Sequence, residues 1–390
     1  MVILKKIRAI FGIIKEFVFN YYHINLIRKK SLEKNKIIFL PSIEYYYPLF
    51  QRPQYLANEL SSKKNIFLLY LEASSVYSKY KKIEEIKKNL YLCRYFRTVP
   101  YFLKNSWFYL ISGQAINTIH DLKKYKKMGH RIIYDYVDEI SVDICGNNKT
   151  YQFLKERHNF IKTSKIADLI LCTSEEFVNE FIRFYSKDKV IYLPNAVDLR
   201  IFNSNKNYPL PSDLIEIVKQ KKLIIGYHGA MAKWLDYKLI NKIAKNHPEI
   251  NFVFLGLDYD RSLKELNQNL KNIFYLGVVN FKDLPKYLFY FNYSWIPFRK
   301  GKVAQNTSPL KLFESLAMGK LVLVTKDLKE CYGFKGVYVF DNTLKEFDKA
   351  LKKILDLKNK KKIISCIYKN IFNYSWRKRT EIIYKKLNEI

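Results

Sequence analysis

The chain alternates between short, wholly apolar runs and longer segments in which apolar residues recur every three or four positions. A short apolar run with polar borders is typical of a strand buried on both faces, and the longer period is typical of a helix. In the first half the two patterns mostly alternate. They predict strands at residues 36–40, 66–70, 90–94, 131–136, 169–173 and 190–193, and helices at 52–60, 114–127, 151–166 and 175–185.

A polar stretch at residues 203–213 interrupts the pattern and reads as a linker. The alternation then restarts, with strands predicted at residues 223–227, 252–256, 273–277, 293–297, 321–325 and 337–340. Strands that alternate with helices form parallel, doubly wound sheets. We therefore predict an α/β protein with two Rossmann-like domains that face a cleft. The expected divisions are a helix at 1–30, domains at 31–202 and 215–372, a linker at 203–214, and a last helix at 373–390.

The first 30 residues predict an amphipathic helix with basic flanks. Its apolar positions step by four and three residues, and Arg28, Lys29 and Lys30 follow them. Such a helix can lie in an anionic membrane interface, or it can pack on its own domain, and the pattern leaves both possibilities open. The apolar positions are Ile3, Ile7, Ile10, Ile14, Phe17 and Tyr21.

The composition indicates a folded, strongly basic protein. The 390 residues carry 69 Lys and Arg against 36 Asp and Glu, a formal charge of +33, with 48% hydrophobic residues. Large folded cores are expected, and so is attraction to polyanions or phosphorylated ligands. The five cysteines are dispersed without a C-x-x-C pair, which favours free thiols in a reducing cytoplasm. No apolar run is long enough for a membrane span, and a signal peptide is not indicated.

The most informative segment is the predicted helix at residues 308–319. Ser308 is a suitable N-cap, Pro309 suits the first helical position, and Gly319 suits a left-handed stop. The next run, residues 321–325, predicts a buried strand, so the helix should begin at an edge of the sheet. Its apolar positions recur at helical spacing: Leu310, Phe313, Leu316 and Ala317.

The start of this helix has the chemistry of an anion site. Its unpaired amides and the positive end of the helix dipole attract phosphate, and Lys311 adds a full positive charge in the first turn. Glu314 follows one turn after Leu310 and can accept hydrogen bonds from hydroxyl groups. An anion site beside a hydroxyl acceptor suits a nucleotide sugar, although an ordinary capped helix would have much the same local sequence.

Several further motifs resemble those of GT-B glycosyltransferases, and most closely the bacterial group that includes the retaining family-4 enzymes (glycosyltransferase group 1). The resemblance spans about residues 36–380 and rests on the order of the motifs as well as on their composition. The motifs are Gln51-Arg52-Pro53-Gln54, Ala167 to Ser174, Leu193-Pro194-Asn195-Ala196-Val197-Asp198 with Phe202, Ile225 to Ala230 with Trp234 and Asp236, Leu276-Gly277, Leu284-Pro285, Ile296-Pro297-Phe298, and the segment from Ser308 to Gly319.

The resemblance implies transfer of a sugar from a nucleotide-diphosphate sugar to an acceptor hydroxyl. The C-terminal domain would hold the donor, the N-terminal domain most of the acceptor, and the last helix would cross back to the N-terminal domain. Amides and the Lys311 ammonium would stabilise the leaving diphosphate, and Glu314 would accept from the ribose hydroxyls. The implied donor-site residues are Gly229, Ala230, Lys233, Pro297, Ser308, Pro309, Leu310, Lys311 and Glu314.

The chain departs from the family pattern at three places. Asn306 stands where family-4 enzymes often have the first glutamate of a Glu-x7-Glu motif, so it offers an amide and no negative charge. Asp138 and Glu139 follow the strand at 131–136, where many relatives have a histidine. Ala196 replaces a usual glycine. We therefore expect Asp138, Glu139, Asn306 and Lys311 to be the catalytic candidates.

Other interpretations of the acceptor side stay open. Asp138 and Glu139 can position or deprotonate an acceptor hydroxyl, or they can simply be an acidic N-cap pair for the next helix. Glu44, beside a run of tyrosines, is a rival. His228 can contact the diphosphate or serve only as a structural hydrogen-bonding group.

No metal or other cofactor is expected. The Asp258-Tyr259-Asp260 sequence resembles a metal motif of a different glycosyltransferase fold and is discounted, and the histidines lack zinc-site spacing. The expected setting is the inner face of the cell membrane, where the protein would extend a lipid-linked glycan. A GT-B epimerase or phosphorylase is the alternative, and a polyanion-binding protein ranks last because no nucleic-acid module is recognised.

Overall fold

The computed structural model describes residues 21–33, 36–42, 50–72, 83–93 and 105–390, together with the single residues 11, 14, 18, 45 and 103. Glu44 and most of the predicted helix at 1–30 lie outside the described residues. The fold below is therefore that of the described part of the chain.

The first sheet contains eight described strands in the order β3-β4-β2-β1-β5-β6-β7-β8. β1 pairs in parallel with β2 and β5, and β5 pairs in parallel with β6. β3 is an exception, because it pairs with β4 in the antiparallel direction at the edge. The strands are β1 (Lys36–Ser42), β2 (Ile66–Glu72), β3 (Glu84–Lys87), β4 (Leu90–Cys93), β5 (Trp107–Ile111), β6 (Arg131–Tyr136), β7 (Leu169–Cys172) and β8 (Val190–Tyr192).

The second sheet contains six strands in the order β11-β10-β9-β12-β13-β14, and every pair is parallel. The chain order reverses between β9 and β12, as in a Rossmann sheet, where ligands bind at the carboxyl ends of the strands beside the reversal. The strands are β9 (Leu223–His228), β10 (Ile250–Leu255), β11 (Ile273–Tyr275), β12 (Tyr293–Ile296), β13 (Leu321–Thr325) and β14 (Val337–Phe340).

Helices connect most of these strands, and several begin at the side-chain caps that their sequences provide. Thr118 and Asp121 form a capping box, and Ser375 caps the last helix through its hydroxyl. The described helices are α1 (Tyr21–Glu33), α2 (Arg52–Leu60), α3 (Ile119–Lys127), α4 (Val142–Cys145), α5 (Asn148–Ser164), α6 (Glu175–Phe181), α7 (Ile215–Lys219), α8 (Tyr237–Asn246), α9 (Leu284–Tyr290), α10 (Lys302–Gln305), α11 (Leu310–Ala317), α12 (Leu344–Leu355), α13 (Lys360–Ile371) and α14 (Trp376–Glu389).

The cores follow from the apolar runs. Every residue of β2, β4, β10 and β13 is buried, as expected for parallel strands covered on both faces. Full burial of one such Leu, Ile or Phe side chain contributes roughly 1.5–3 kcal/mol to folding. These runs therefore account for both sheets, and the predicted fold class is confirmed.

Two strands of the first sheet were not predicted. β3 is mostly exposed and charged, so it lacks the apolar run of its neighbours and suits the edge of the sheet. A two-residue turn joins it to β4, and Asn89 takes a left-handed conformation there with φ 67°. β5 is wholly buried and belongs to the core. The predicted helix at 114–127 is shorter than expected, because its cap at Thr118 lies later in the chain.

A buried ionic cluster explains the Gln51-Arg52-Pro53-Gln54 motif. Nε and Nη2 of Arg52 donate to the two carboxylate oxygens of Asp135 at 2.7 and 2.9 Å. The hydroxyl of Tyr109 donates to the same carboxylate at 2.8 Å. Arg52 and Asp135 are almost wholly buried, so this bidentate pair connects α2 with the end of β6. The sequence alone did not show the partner of Arg52, because that partner lies 83 residues away.

The chain divides into two compact units. One takes the described residues of Met1–Tyr47, Arg52–Asp135 and Arg157–Ile170, and the other takes Pro48–Gln51, Tyr136–Glu156 and Leu171–Ile390. Each contains a Rossmann-like sheet or most of one. The predicted boundaries at 202, 214 and 372 remain a prediction.

The described residues include only part of the predicted N-terminal helix. In α1, Ile24 and Ile27 are buried. Upstream, Phe11, Ile14 and Val18 are helical and exposed, at 71%, 53% and 68%. No described helix is both long enough and apolar enough to cross a membrane.

Candidate active site at the strand reversal of the second sheet

The second unit collects its candidate residues where β9 and β12 end side by side. β9 ends at His228 and continues into Gly229 and Ala230, and β12 continues into Pro297 and Phe298. The start of α11 comes to the same place, because the side chain of Lys311 contacts Gly229. Three segments far apart in sequence therefore meet at the expected ligand position of a Rossmann sheet.

Gly229 is required for this close approach. Its φ is 127°, which residues with a side chain rarely adopt, and a Cβ atom here would lie 2.7 Å from Cε and 3.2 Å from Nζ of Lys311. Gly256, at the end of β10, packs directly on Gly229, where a Cβ atom would lie 1.9 Å from the Gly229 carbonyl oxygen. The two glycines leave room for the backbone and for the lysine.

Lys311 presents its ammonium group among aromatic rings. Nζ lies 5.4 Å from the ring centre of Tyr227 and 5.3 Å from that of Phe298. No described carboxylate lies within ion-pair distance of this nitrogen. Burial lowers the pKa of Lys311 to about 8, although the negative charges of Glu314 and Asp138 oppose the shift. An enclosed cation without an ion pair suits an anionic ligand.

The start of α11 differs in detail from the prediction. The helix begins at Leu310, so Pro309 occupies the N-cap position and no side chain caps the helix. Ser308 is therefore not the N-cap. In the described part of the chain, the amides of Leu310 and Lys311 have no hydrogen-bond acceptor. The helix start thus offers two free donors and its positive dipole end next to Lys311.

Ser308 instead connects α11 to the segment before the linker. Its hydroxyl accepts from the backbone amide of Asn195 at 3.1 Å, and its carbonyl oxygen accepts from the Asn195 side chain at 2.6 Å. Both residues are buried. These bonds give a physical role to the Leu193 to Asp198 motif, which holds the start of α11. The sequence motifs on both sides were recognised, but their contact was not predicted.

Glu314 forms a buried pair with His228. Their side chains meet at 2.9 Å between Nε2 and Oε2, and both are largely buried. His228 thus makes a hydrogen bond to Glu314. Of the two interpretations of His228, this bond favours the structural one over direct contact with the diphosphate. The bond fixes one oxygen of the carboxylate at 2.9 Å from the imidazole, and the second oxygen can accept from a ligand hydroxyl.

The remaining donor-side predictions fall into two groups. The carbonyl oxygen of Ala230 accepts from Tyr227, and the carbonyl oxygen of Pro297 accepts from the amide of Asp236. These two residues therefore shape the loops around Gly229. The side chain of Lys233 is exposed, and its backbone amide donates to Asp260. Lys233 is thus at the loop surface and is not among the groups that enclose Lys311.

The Asp258 and Asp260 carboxylates serve as turn acceptors. Asp258 accepts from the Leu263 amide, and Asp260 accepts from the amides of Lys233 and Ser262. Within the described residues, no group of three or more His, Cys, Asp or Glu side chains is placed to hold a metal ion.

Asp138 and Glu139 do not cap the next helix. α4 begins at Val142, and its N-cap is Ser141. The alternative of an acidic N-cap pair is therefore wrong. Glu139 accepts a hydrogen bond of 2.6 Å from the side chain of Asn306, and Asp138 is close enough to Lys311 to raise its pKa. All four catalytic candidates thus contact, or interact electrostatically with, another predicted site residue.

The short helix α4, which follows these acids, contacts the loops after β12 and β10. Asp143 forms an ion pair of 2.5 Å with Arg299, and the carbonyl oxygen of Ile144 accepts from the Tyr259 hydroxyl at 3.4 Å. These contacts explain why residues 136–156 belong to the second compact unit. The sequence missed them because they join residues more than 100 positions apart.

Comparison with known proteins finds similarity to glycosyltransferases. Residues 222–357 match the family described as glycosyl transferases group 1. Over 206 residues the chain is 30% identical to TuaH of Bacillus subtilis, which is named as a glycosyltransferase of teichuronic acid biosynthesis. This match covers 50% of each protein, so the chain spans about half the length of that relative.

Solved structures show the same fold across most of the chain. Sucrose-phosphate synthase from Thermosynechococcus elongatus aligns with a TM-score of 0.63 at 12% identity, covering 91% of this chain and all of that one. Anabaena HepE in complex with UDP and glucose aligns with a TM-score of 0.61 at 14% identity and the same coverage. Trehalose 6-phosphate synthase from Burkholderia multivorans aligns with a TM-score of 0.65 at 8% identity, covering 91% and 98%. The chain therefore has the GT-B fold, and its second sheet lies within the residues that match the glycosyl transferases group 1 family.

Proposed function

We propose that the protein transfers a glycosyl group from a nucleotide-diphosphate sugar to a hydroxyl of a glycan in cell-surface polysaccharide synthesis. The acceptor oxygen forms a bond to the anomeric carbon, and the bond from that carbon to the phosphate oxygen breaks. The nucleotide diphosphate leaves with the electron pair, and the hydroxyl proton is released. Negative charge grows on the diphosphate, where fixed positive groups stabilise the transition state most.

One observation carries this proposal: an enclosed ammonium group without an ion pair lies at an uncapped helix start. Lys311 and the amides of Leu310 and Lys311 supply positive charge and donors for a diphosphate. Glu314, fixed by His228, supplies an acceptor for ribose hydroxyls one turn further along the helix. In this proposal these groups, rather than a metal ion, neutralise the diphosphate, and no other cofactor is required.

The comparisons support the class of substrate. HepE was solved with UDP and with UDP-glucose, and Escherichia coli trehalose-6-phosphate synthase was solved with a UDP-2-fluoro glucose. TuaH is named for a polysaccharide pathway. From the first observation we infer a nucleotide-sugar donor for this chain, and from the second a glycan acceptor. The resemblance to family-4 enzymes further implies that the configuration of the transferred sugar is retained.

We further propose that the acceptor is lipid-linked and that the protein works at the cytoplasmic face of the cell membrane. The exposed apolar side chains of Phe11, Ile14 and Val18 follow helical spacing, and the formal charge of +33 favours anionic lipids. Tyr21 and Tyr22 extend this exposed apolar surface. A protein held there would meet a glycan that is carried on a membrane lipid.

A thermal-shift screen with UDP-, GDP-, ADP- and CMP-sugars tests the donor site. A ligand that binds only the folded state raises the melting temperature, so one nucleotide class should stabilise the wild type. Lys311→Met should abolish that shift, while Lys264→Met, which removes an exposed lysine of the same unit, should preserve it. No shift with any nucleotide sugar would contradict the proposal. Isomerisation or phosphorolysis of the selected donor without transfer would favour the epimerase or phosphorylase alternative.

Vesicle flotation tests the membrane part independently. The wild type should float with vesicles of phosphatidylglycerol and phosphatidylcholine, and less with phosphatidylcholine alone. Serine substitutions at Phe11, Ile14 and Val18 should reduce flotation without changing nucleotide binding. Equal flotation of wild type and variant would show that these side chains do not anchor the protein.

A further inference from the structure

Asn306 and Glu139 come from separate parts of the chain and meet in one short hydrogen bond. Nδ2 of Asn306 donates to Oε2 of Glu139 at 2.6 Å. Asn306 follows α10, and its own backbone amide donates to the Lys302 carbonyl oxygen at 3.0 Å. Its side chain is buried, so the position of the amide is well fixed.

Glu139 keeps capacity for a ligand in this arrangement. In the described chain it has no ion-pair partner, and its described side-chain hydrogen bond is the one from Asn306. A carboxylate has two oxygens and about four acceptor positions, so Oε1 stays able to accept from a hydroxyl. Glu139 is half-buried, which lets a ligand approach.

The pair lies near the enclosed lysine. The negative charge of Asp138, the neighbour of Glu139, partly opposes the lowering of the Lys311 pKa by burial, and Asn306 lies five positions before Lys311 at the other end of the same loop. A ligand held by Lys311 through its diphosphate would thus extend its sugar, or bring an acceptor sugar, close to this carboxylate.

We propose that Asn306 and Glu139 act as one hydroxyl-binding unit. Asn306 is the positioning residue, and it fixes one oxygen of Glu139 so that the other accepts a hydrogen bond from a sugar hydroxyl. The hydroxyl belongs to the transferred sugar or to the acceptor sugar. This inference rests on the proposed glycosyltransferase function and assigns a residue pair to the recognition of its sugar.

The short distance between the side chains of residues 306 and 139 explains why an amide suits position 306. Two ionised carboxylates separated by 2.6 Å would repel each other, so an acid at position 306 could keep this bond only by taking up a proton. An amide donor instead orients the Glu139 carboxylate without needing an extra proton. The negative charge of the unit is therefore on Glu139, in the loop before α4, and not on residue 306.

An isosteric exchange tests the unit. Glu139→Gln and Asn306→Asp each change one partner without changing its shape, and the double variant reverses which side carries the charge while it keeps an amide-to-carboxylate hydrogen bond. Each single variant should lower kcat/KM about tenfold or more at pH 7.5, and the double variant should recover much of that loss. Asn306→Asp alone should also regain activity as the pH falls towards 5.5, because its two carboxylates can then share a proton.

Two kinds of control separate sugar recognition from folding. Asn246→Asp and Glu265→Gln make the same changes at exposed positions of the same unit and should leave activity unchanged. Binding of the free nucleoside diphosphate, measured by calorimetry, should stay within about twofold in the pair variants. A weaker affinity for the nucleotide sugar alone would assign the hydroxyl to the donor, and a raised KM for the acceptor alone would assign it to the acceptor.

Several results would contradict the proposal that Asn306 and Glu139 act as one unit. Multiplicative losses in the double variant, activity within twofold of wild type in both single variants, or an equal loss of nucleoside diphosphate binding and thermal stability would each contradict it. If the wild type itself binds no nucleoside diphosphate, the proposed function fails and the inference falls with it. That result is seen before any variant is made.

Discussion

Arg52 and Lys311 both lie where burial opposes a positive charge, and they differ in how that charge is satisfied. Arg52 lies beside Asp135 and Tyr109 in the first unit, and both oxygens of Asp135 accept from its guanidinium group. Lys311 lies beside Tyr227 and Phe298 in the second unit, without a described ion pair.

The two pKa shifts express the same difference. Burial opposes the charge at both sites, but the attraction of Asp135 leaves the pKa of Arg52 above its ordinary value. Burial dominates at Lys311 and lowers its pKa to about 8. We therefore expect Arg52 to support the fold and Lys311 to bind an anionic ligand.

The largest effect is expected when the saturated pair is broken. Arg52→Met leaves the Asp135 carboxylate buried without its cation, which should lower the free energy of unfolding by about 3–5 kcal/mol. Urea denaturation followed by circular dichroism measures this change. Adding Asp135→Leu to Arg52→Met should restore part of the lost stability, because no unpaired charge then remains. If Arg52→Met is as stable as the wild type, the Arg52–Asp135 pair does not stabilise the fold.

Removal of the Lys311 charge should have the opposite effect, with a loss of binding and activity but no loss of stability. Lys311→Met should weaken donor binding and kcat/KM by about a hundredfold, since a charge-assisted contact to a diphosphate contributes roughly 2–3 kcal/mol. Its free energy of unfolding should be unchanged or higher by about 1 kcal/mol. The reason is that a folded-state pKa below the ordinary value means that the charge destabilises the free protein at pH 7.

The control for Lys311→Met is Lys264→Met, which removes an exposed lysine and should change neither quantity. If Lys311→Met unfolds the protein as strongly as Arg52→Met does, the lysine is structural. The distinction between the two cations would then be lost.

The pH dependence of binding should show the same lysine. Lys311 is mostly protonated at pH 7 and mostly neutral at pH 9, because its pKa in the free protein is about 8. Nucleoside diphosphate affinity should therefore fall by up to about tenfold over this range. Calorimetric titrations at both pH values measure the change. Lys311→Met should show a much flatter profile, and an equally steep one would assign the titration to another group.

The smallest effect is expected at the His228–Glu314 pair. His228→Gln should disturb the orientation of Glu314, and the preference for a ribonucleoside over a 2′-deoxyribonucleoside diphosphate should fall roughly threefold to fivefold. Competition binding with the two nucleotides measures this preference. Equal preference in wild type and variant would mean that Glu314 does not bind the ribose or does not need His228.

Much of the fold could be predicted because its strands are buried on both faces. All six strands of the second sheet coincide with mostly apolar runs, whereas the exposed, charged β3 has no such run. Helix starts were less accurate. The cap of α3 at Thr118 lies four residues after the predicted start, and α11 begins one residue later than its Ser-Pro sequence suggested.

Residues of the candidate site could be named from the sequence, but their pairings could not. Gly229, Lys311 and Glu314 were expected at the donor site, and the structure brings them to the same strand ends. The bonds from Asn195 to Ser308 and from Asn306 to Glu139 were not foreseen. Each joins residues more than 100 positions apart, and no local pattern specifies such a partner.

The most direct measurement compares a nucleoside diphosphate with its monophosphate by calorimetry, using the nucleotide that the donor screen selects. The wild type should prefer the diphosphate by at least about tenfold, and Lys311→Met should lose most of that preference because the second phosphate no longer meets a cation. An unchanged preference in Lys311→Met would contradict the claim that Lys311 at the start of α11 binds the diphosphate.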